Sequence, residues 1–176
     1  VVVAAASETG RLVSNGMSYH ARDLENANSA LVVTVSPEDF EGNSPLKGME
    51  FQRYYESLAF KLGGGNYKAP IQLVGDFMKD RPSTKLGKVT PSYTAGYEFK
   101  ELKNCLPKYV IDALKEGIEN FGKKINGYAR EDAVLTGIES RTSAPVRIHR
   151  DKTLESVNVC GLYPTGEGAG FAGGII

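Results

Sequence analysis

The chain lacks most of the features that announce a function. It has no surplus charge: 21 Lys+Arg stand against 21 Asp+Glu in 176 residues. Neutralising phosphates requires a basic excess, so nucleic acid is not expected as a partner, nor is a polybasic hold on a membrane. Long apolar runs are missing too. The longest, residues 1–6, is far short of the about 20 residues a membrane span needs, and no basic stretch precedes it as in a secretion signal. Only two cysteines are present, Cys105 and Cys160, and they form no C-x-x-C pair. That points to a reducing, cytoplasmic setting without a disulfide framework or a cysteine-rich zinc site. The two histidines, His20 and His149, have no neighbouring Cys, Asp and Glu at metal-ligand spacing. The triplet Gly63-Gly64-Gly65 is not followed by the Lys-Ser/Thr of a phosphate-binding loop, and neither G-x-S-x-G nor H-E-x-x-H occurs.

Glycine is the residue in excess. There are 20, where an average of about 7% gives roughly 12 in this length. Six of them, Gly161, Gly166, Gly168, Gly170, Gly173 and Gly174, fall in the last 16 residues. With 41% hydrophobic and 24% charged residues the chain is otherwise an ordinary globular one. It begins with Val1 rather than Met and ends inside a motif, so a piece of a longer protein is expected.

Hydrophobic periodicity divides the chain. Residues 1–6 and 30–35 are apolar and β-branched and are read as buried strands, with 11–13 as a hairpin partner of the first across a turn at Ser7-Glu8-Thr9-Gly10. Asn15-Gly16 is a turn signal. Ser44-Pro45 opens a helix, and Phe51, Tyr55, Leu58 and Leu62 place its apolar face before Gly63 ends it. Residues 70–78 fit a short helix or a strand equally. Residues 80–94, rich in Pro, Ser, Thr and Gly, are read as a long ordered loop. Pro107 opens a second helix with a stripe of Val110, Leu114, Ile118, Phe121 and Ile125, closed by Asn126-Gly127. Residues 133–138, 146–148 and 157–159 are strand candidates. The expected class is α+β: a β-layer built from the N- and C-terminal strands, interrupted by an α-rich segment at about 37–130.

Three segments carry chemical groups. Gly168-Ala169-Gly170-Phe171-Ala172-Gly173 matches G-x-G-x-x-G after a predicted strand, which is the setting of a dinucleotide fingerprint. It equally fits a glycine-rich turn between a strand and a helix. In residues 137–150, Arg141, Arg147 and Arg150 flank a Pro turn and are candidates to clamp a carboxylate or phosphate, or else form a solvated strand face. Asn15 to Arg22 mixes polar and aromatic residues on a predicted loop. His20 there is a candidate acid or base near neutral pH, or a solvated histidine.

Taken together, Ala5-Ala6-Ser7-Glu8 with Gly10, Asn15-Gly16-Met17-Ser18, Gly137-Ile138-Glu139-Ser140-Arg141-Thr142-Ser143 with Pro145-Val146-Arg147-Ile148, and Gly161-Leu162-Tyr163-Pro164-Thr165-Gly166-Glu167-Gly168-Ala169-Gly170 resemble the bacterial FAD-dependent dehydrogenases of the NAD(FAD)-utilising class. The resemblance spans nearly the whole chain. It implies a longer flavoprotein with a Rossmann-type FAD domain. Residues 1–160 would be its inserted, substrate-side domain, and 161–176 the start of a flavin-contacting segment. FAD is then the cofactor of the full-length protein, with NAD(P)H as a possible reductant. Glu167 would hydrogen-bond the ribityl or ribose region. Gly166 and the amides of Gly168, Ala169, Gly170 and Phe171 would lie at the flavin pyrimidine or a phosphate. Asn15, Arg141 and Arg147 would face a small-molecule substrate, and His20 and Arg141 are the catalytic candidates. The chain alone would be inactive, its partner being the remaining FAD domain of the same polypeptide. The alternative is a stand-alone, non-enzymatic protein- or peptide-binding module.

Overall fold

A computed structural model describes residues 1–5 and 7–171. The elements in chain order are β1 (Val2–Ala4), β2 (Ser14–Gly16), α1 (Lys47–Leu62), β3 (Ala69–Leu73), α2 (Val74–Met78), β4 (Tyr97–Phe99), α3 (Lys108–Lys124) and β5 (Val134–Thr136). Single 3-10 turns lie at Pro37–Asp39, Leu102–Asn104 and Gly166–Ala169. The α+β class expected from the sequence is the one observed. None of the helices among the described residues is long and apolar enough to cross a membrane.

The chain divides into two compact units, residues 1–35 with 54–140, and residues 36–53 with 141–176. The first holds both sheets. β1 and β2 pair antiparallel, Val2 opposite Gly16 and Ala4 opposite Ser14. β3 is the centre of a second sheet, parallel to β4 and antiparallel to β5. The expected single layer of terminal strands is therefore corrected. β5 pairs with a strand from the middle of the chain, and β1 and β2 form a sheet of their own. Asn15-Gly16, read as a turn, lies in β2. The chain reverses at residues 7–10, the other turn read from the sequence, where the Arg11 amide donates to the Glu8 carbonyl (3.0 Å) and the Val13 amide to Ser7 Oγ (2.9 Å).

Residues 70–78 are strand and helix in succession. All of β3 but its last residue is buried between β4 and β5, as its apolar run requires. The 80–94 loop is ordered by buried side chains. Ser83 Oγ accepts from the Leu73 amide (2.9 Å) and donates to Asp76 Oδ2 (2.7 Å), while Gln72 joins the Arg81 carbonyl to the Leu102 amide (2.9 Å each). That Ser83 hydroxyl, then Arg81, holds the Asp76 carboxyl below its ordinary range against the opposing effect of burial.

The core of this unit gathers Leu12, Ala59, Ala69, Val74, Phe77, Tyr93, Leu102, Cys105, Ile111, Ile118 and Ile138. Desolvation there pushes the Cys105 thiol up to about 12. On α3, Ile118 and Val110 are buried as the stripe predicts, but Phe121 and Ile125 emerge into solvent at its end. On α1 the buried line is not the predicted aromatic stripe, which is half-buried. It runs through Glu56, Ala59 and Gly63. Gly63 is required there: a Cβ would lie 1.9 Å from the Lys68 carbonyl oxygen.

The predicted strands at 30–35, 146–148 and 157–159 do not form. β-branched sequence favours extended backbone, but a strand also needs an adjacent edge. Residues 149–157 make a tight reversal with one bridge, Arg150 to Ser156. The Asp151 carboxylate accepts from the Thr153 amide (2.7 Å) and hydroxyl (2.6 Å), and Leu154 adopts φ +71°. This local geometry uses up residues that a longer ladder would need.

Candidate functional site

The second unit contains the glycine-rich segment. Gly166–Ala169 form one 3-10 turn after Thr165, and Gly170 closes it in the left-handed region at φ +75°. The Gly170 amide donates to the Glu167 carbonyl (2.8 Å) and the Phe171 amide to the Gly166 carbonyl (3.1 Å). A Cβ on Gly166 or Gly168 would meet nothing within 4 Å, so the backbone there is open to a close approach. No strand leads directly into this turn, residues 151–165 holding none, so on that side the strand–turn–helix setting of a dinucleotide fingerprint is not formed. Ala172, Gly173 and the helix expected beyond them lie outside the described residues.

The arginine-bearing segment 144–150 holds this turn along its length. The Ala144 amide donates to the Glu167 carboxylate. The Ile148 amide donates to the Gly168 carbonyl (2.8 Å) and Arg147 Nε to the Ala169 carbonyl (3.0 Å). Arg150 Nη1 donates to the carbonyl of buried Pro164 (2.8 Å). Both guanidinium groups lie over the Phe171 ring, Arg150 at 4.3 Å and Arg147 at 5.5 Å from its centroid. Cation–π attraction of this kind is worth about 0.5–1 kcal/mol at exposed sites. Phe171 itself is 64% exposed. Gly170 is doubly constrained, because a Cβ would also lie 2.7 Å from Arg147 Nε. The structure thus brings together six predicted cofactor residues, Gly166 to Phe171, and Arg147. Arg141 lies in the same unit and is half-buried.

Asn15 and His20 belong to the first unit. Asn15 is half-buried in β2 opposite Val3. His20 is exposed, in the turn where the Arg22 amide donates to the Tyr19 carbonyl (3.1 Å). Next to Asn15, the Ser14 amide donates to the Ile138 carbonyl (2.8 Å), so β2 and the 137–140 motif, far apart in sequence, meet. Beneath this junction is a residue that the periodicity hid. Glu56 on α1 is 0% exposed, and its carboxyl accepts from Ser140 Oγ (2.7 Å). Its backbone carbonyl accepts from the Leu12 amide (3.0 Å). The only sequence signal for it is that Glu56 continues the line of small residues Ala59 and Gly63. A buried acid with a hydroxyl partner orients the 137–140 segment, since leaving such a group unpaired costs about 1–3 kcal/mol. Among the described residues no group of three or more His, Cys, Asp or Glu is placed to hold a metal ion.

A protein of Clostridium beijerinckii (strain ATCC 51743 / NCIMB 8052), described as "Uncharacterized protein", is 85% identical over all 176 residues. The chain spans 33% of that relative's length. Residues 1–142 match the family described as "FAD-dependent protein, C-terminal domain-like", a stretch that takes in β2, the buried Glu56 and the 137–140 motif and stops before the glycine-rich turn. On that match, which covers well over half of its length, the chain belongs to the FAD-dependent protein, C-terminal domain-like family.

Proposed function

We propose that this chain is the substrate-side part of an FAD-dependent dehydrogenase of the NAD(FAD)-utilising class, inactive without a Rossmann-type FAD domain elsewhere in the same polypeptide. The observation that carries the reading is the family match over residues 1–142. The relative's threefold greater length supports it by leaving room for the FAD domain.

In this reading residues 1–160 are the inserted domain and 161–176 begin the flavin-contacting segment. The open backbone at Gly166 and Gly168 suits a large planar or phosphorylated group approaching closely. Gly168 to Phe171 take the pyrimidine or phosphate side. Glu167, tied to the Ala144 amide, reaches the ribityl or ribose region by exchanging that partner. FAD supplies hydride and electron transfer when bound, and the chain's own residues bind, orient and exclude water. In the second unit Arg141 and Arg147 face a small-molecule substrate, Arg141 as a fixed positive charge, while in the first unit Asn15 is a further candidate for substrate contact and His20 for an acid or base. NAD(P)H is the reductant and the cytoplasm the compartment.

The test is the visible spectrum of the full-length Clostridium beijerinckii relative. A yellow protein that releases FAD on denaturation is expected. A colourless protein that takes up no added FAD overturns the reading. Gly168→Val in the same protein is expected to lower FAD content at least about tenfold, the loss of roughly one good contact, with unfolding unchanged.

A further inference from the structure

Residues 17–35 cross the first unit with no helix or strand, although spans longer than about 12–15 residues without regular structure are uncommon in a compact domain and mark functional segments. Side chains fix this one in place. Asn28 Nδ2 donates to the Met17 carbonyl (3.0 Å), Asn26 Nδ2 to the Thr90 carbonyl (3.4 Å), and Ser29 Oγ to the Tyr128 hydroxyl (3.4 Å). Leu31 packs against the core. Within it, residues 30–35 keep the alternation of a strand: Leu31, Val33 and Val35 are half-buried, while Val32 (63% exposed) and Thr34 point outward. Yet among the described residues no backbone hydrogen bond joins 30–35 to any other segment. Among the described residues this is a row of backbone amides and carbonyls without a backbone partner, on a chain held in place with a strand's alternation.

Edges left open in isolated domains are guarded by charge, most often lysine. Here residues 27–37 carry no charged side chain at all, and Leu24 and Met17 nearby add exposed apolar surface. An unguarded edge fits a segment that is covered in the intact molecule. The covering chain is at hand, because the relative matched along the whole of this chain is about three times as long. We propose that residues 30–35 are an edge strand completed by an extended strand from the other two thirds of the longer polypeptide, lying alongside it and pairing by backbone hydrogen bonds. The inference rests on the edge and on the relative's length. It does not depend on the flavin reading, since a colourless protein with a protected edge leaves it standing.

Hydrogen exchange of the full-length Clostridium beijerinckii relative, read by mass spectrometry, tests it. The amides matching 31–35 that point toward the partner, every second one along a strand, are expected to exchange at least about a hundredfold more slowly than an unstructured chain, at every protein concentration. Exchange within about tenfold of the unstructured rate overturns the proposal. So does protection that appears only as concentration rises, which assigns the edge to a second copy. The occupant is identified by Val33→Pro, which removes one donor from the ladder. It is expected to speed exchange at least about tenfold in a segment outside the region matching these 176 residues. Acceleration confined to that region overturns the proposal, and if the variant does not fold, the wild-type exchange still decides.

Discussion

Among the described residues, 1–35 with 54–140 bury fourteen hydrophobic side chains, from Leu12 to Ile138, whereas 36–53 with 141–171 bury little beyond Ala169 and Pro164. The first unit is held by exclusion of water from a shared core. The second is held by directed contacts: amide to carboxylate at Ala144 and Glu167, guanidinium to carbonyl at Arg147 and Arg150, and two arginines on one exposed ring. Apolar burial is worth about 25 cal/mol per Å² and resists local opening. A hydrogen bond that competes with water nets only about 0.5–1.5 kcal/mol. The difference teaches that the glycine-rich turn is shaped one bond at a time, and is the part of the chain most easily reshaped by a ligand.

Substitutions and treatments that break or sharpen that contrast follow from it. The largest effect is expected from Ile71→Ala at the fully buried centre of β3, a loss of about 2–5 kcal/mol in urea unfolding. No single truncation in the second unit is expected to reach that range.

The two thiols report one unit each. Exposed Cys160 is expected to react with iodoacetamide at the rate of an ordinary thiol, and buried Cys105 at least about a hundredfold more slowly until the core opens. Because burial raises the Cys105 pKa in the folded state, its neutral thiol stabilises the fold fully below its ordinary value of 9.0, and this contribution is lost as pH rises toward about 12. Unfolding midpoints measured from pH 8 upward are therefore expected to fall, and Cys105→Ala to lessen the fall.

Gly170→Ala places a side chain at φ +75° and against Arg147. A cost of about 1–2 kcal/mol is expected, visible as faster amide exchange at residues 166–171 with β3 unchanged. Arg150→Ala removes one carbonyl contact and the nearer ring contact. About 0.5–1.5 kcal/mol of local opening is expected by the same readout. Arg150→Lys should recover only part of it, because a lysine lacks the planar fork that both contacts use.

Much of the first unit was legible in the sequence. The 3.6-residue period placed α1 and α3 and the glycines that end or follow them. The apolar run at 133–138 gave β5, and the Pro- and Ser-rich stretch gave the 80–94 loop. Residues 70–78 stayed undecided because β3 runs into α2 without a breaking residue between Leu73 and Val74. Asn15-Gly16 misled because the tightest turn was already made at residues 7–10. Glu56 was hidden because an acid on a helix reads as a solvent-facing residue, and partners such as Ser140, 84 residues away, are what make burial tolerable. In the second unit, sequence located the chemically special residues but not their contacts. Arg147 and Arg150 looked like groups for an external anion, and the fold turns them first toward carbonyls of the glycine-rich turn.

By itself, then, the sequence determined what depends on neighbours in the chain: helical faces, glycine-permitted turns, the absence of charge surplus and of a spanning segment, and the order of motif blocks that carries the family resemblance. Tertiary structure alone decided what depends on distant partners. It chose which strands found an edge, leaving 30–35 outside any ladder among the described residues while β3 gained two neighbours. It buried one acid under a serine from another motif, and it set arginines against a backbone. The physical reason is one of range: a dihedral preference is local to a residue, but a hydrogen-bond ladder or a buried polar group exists only when a second segment arrives to complete it.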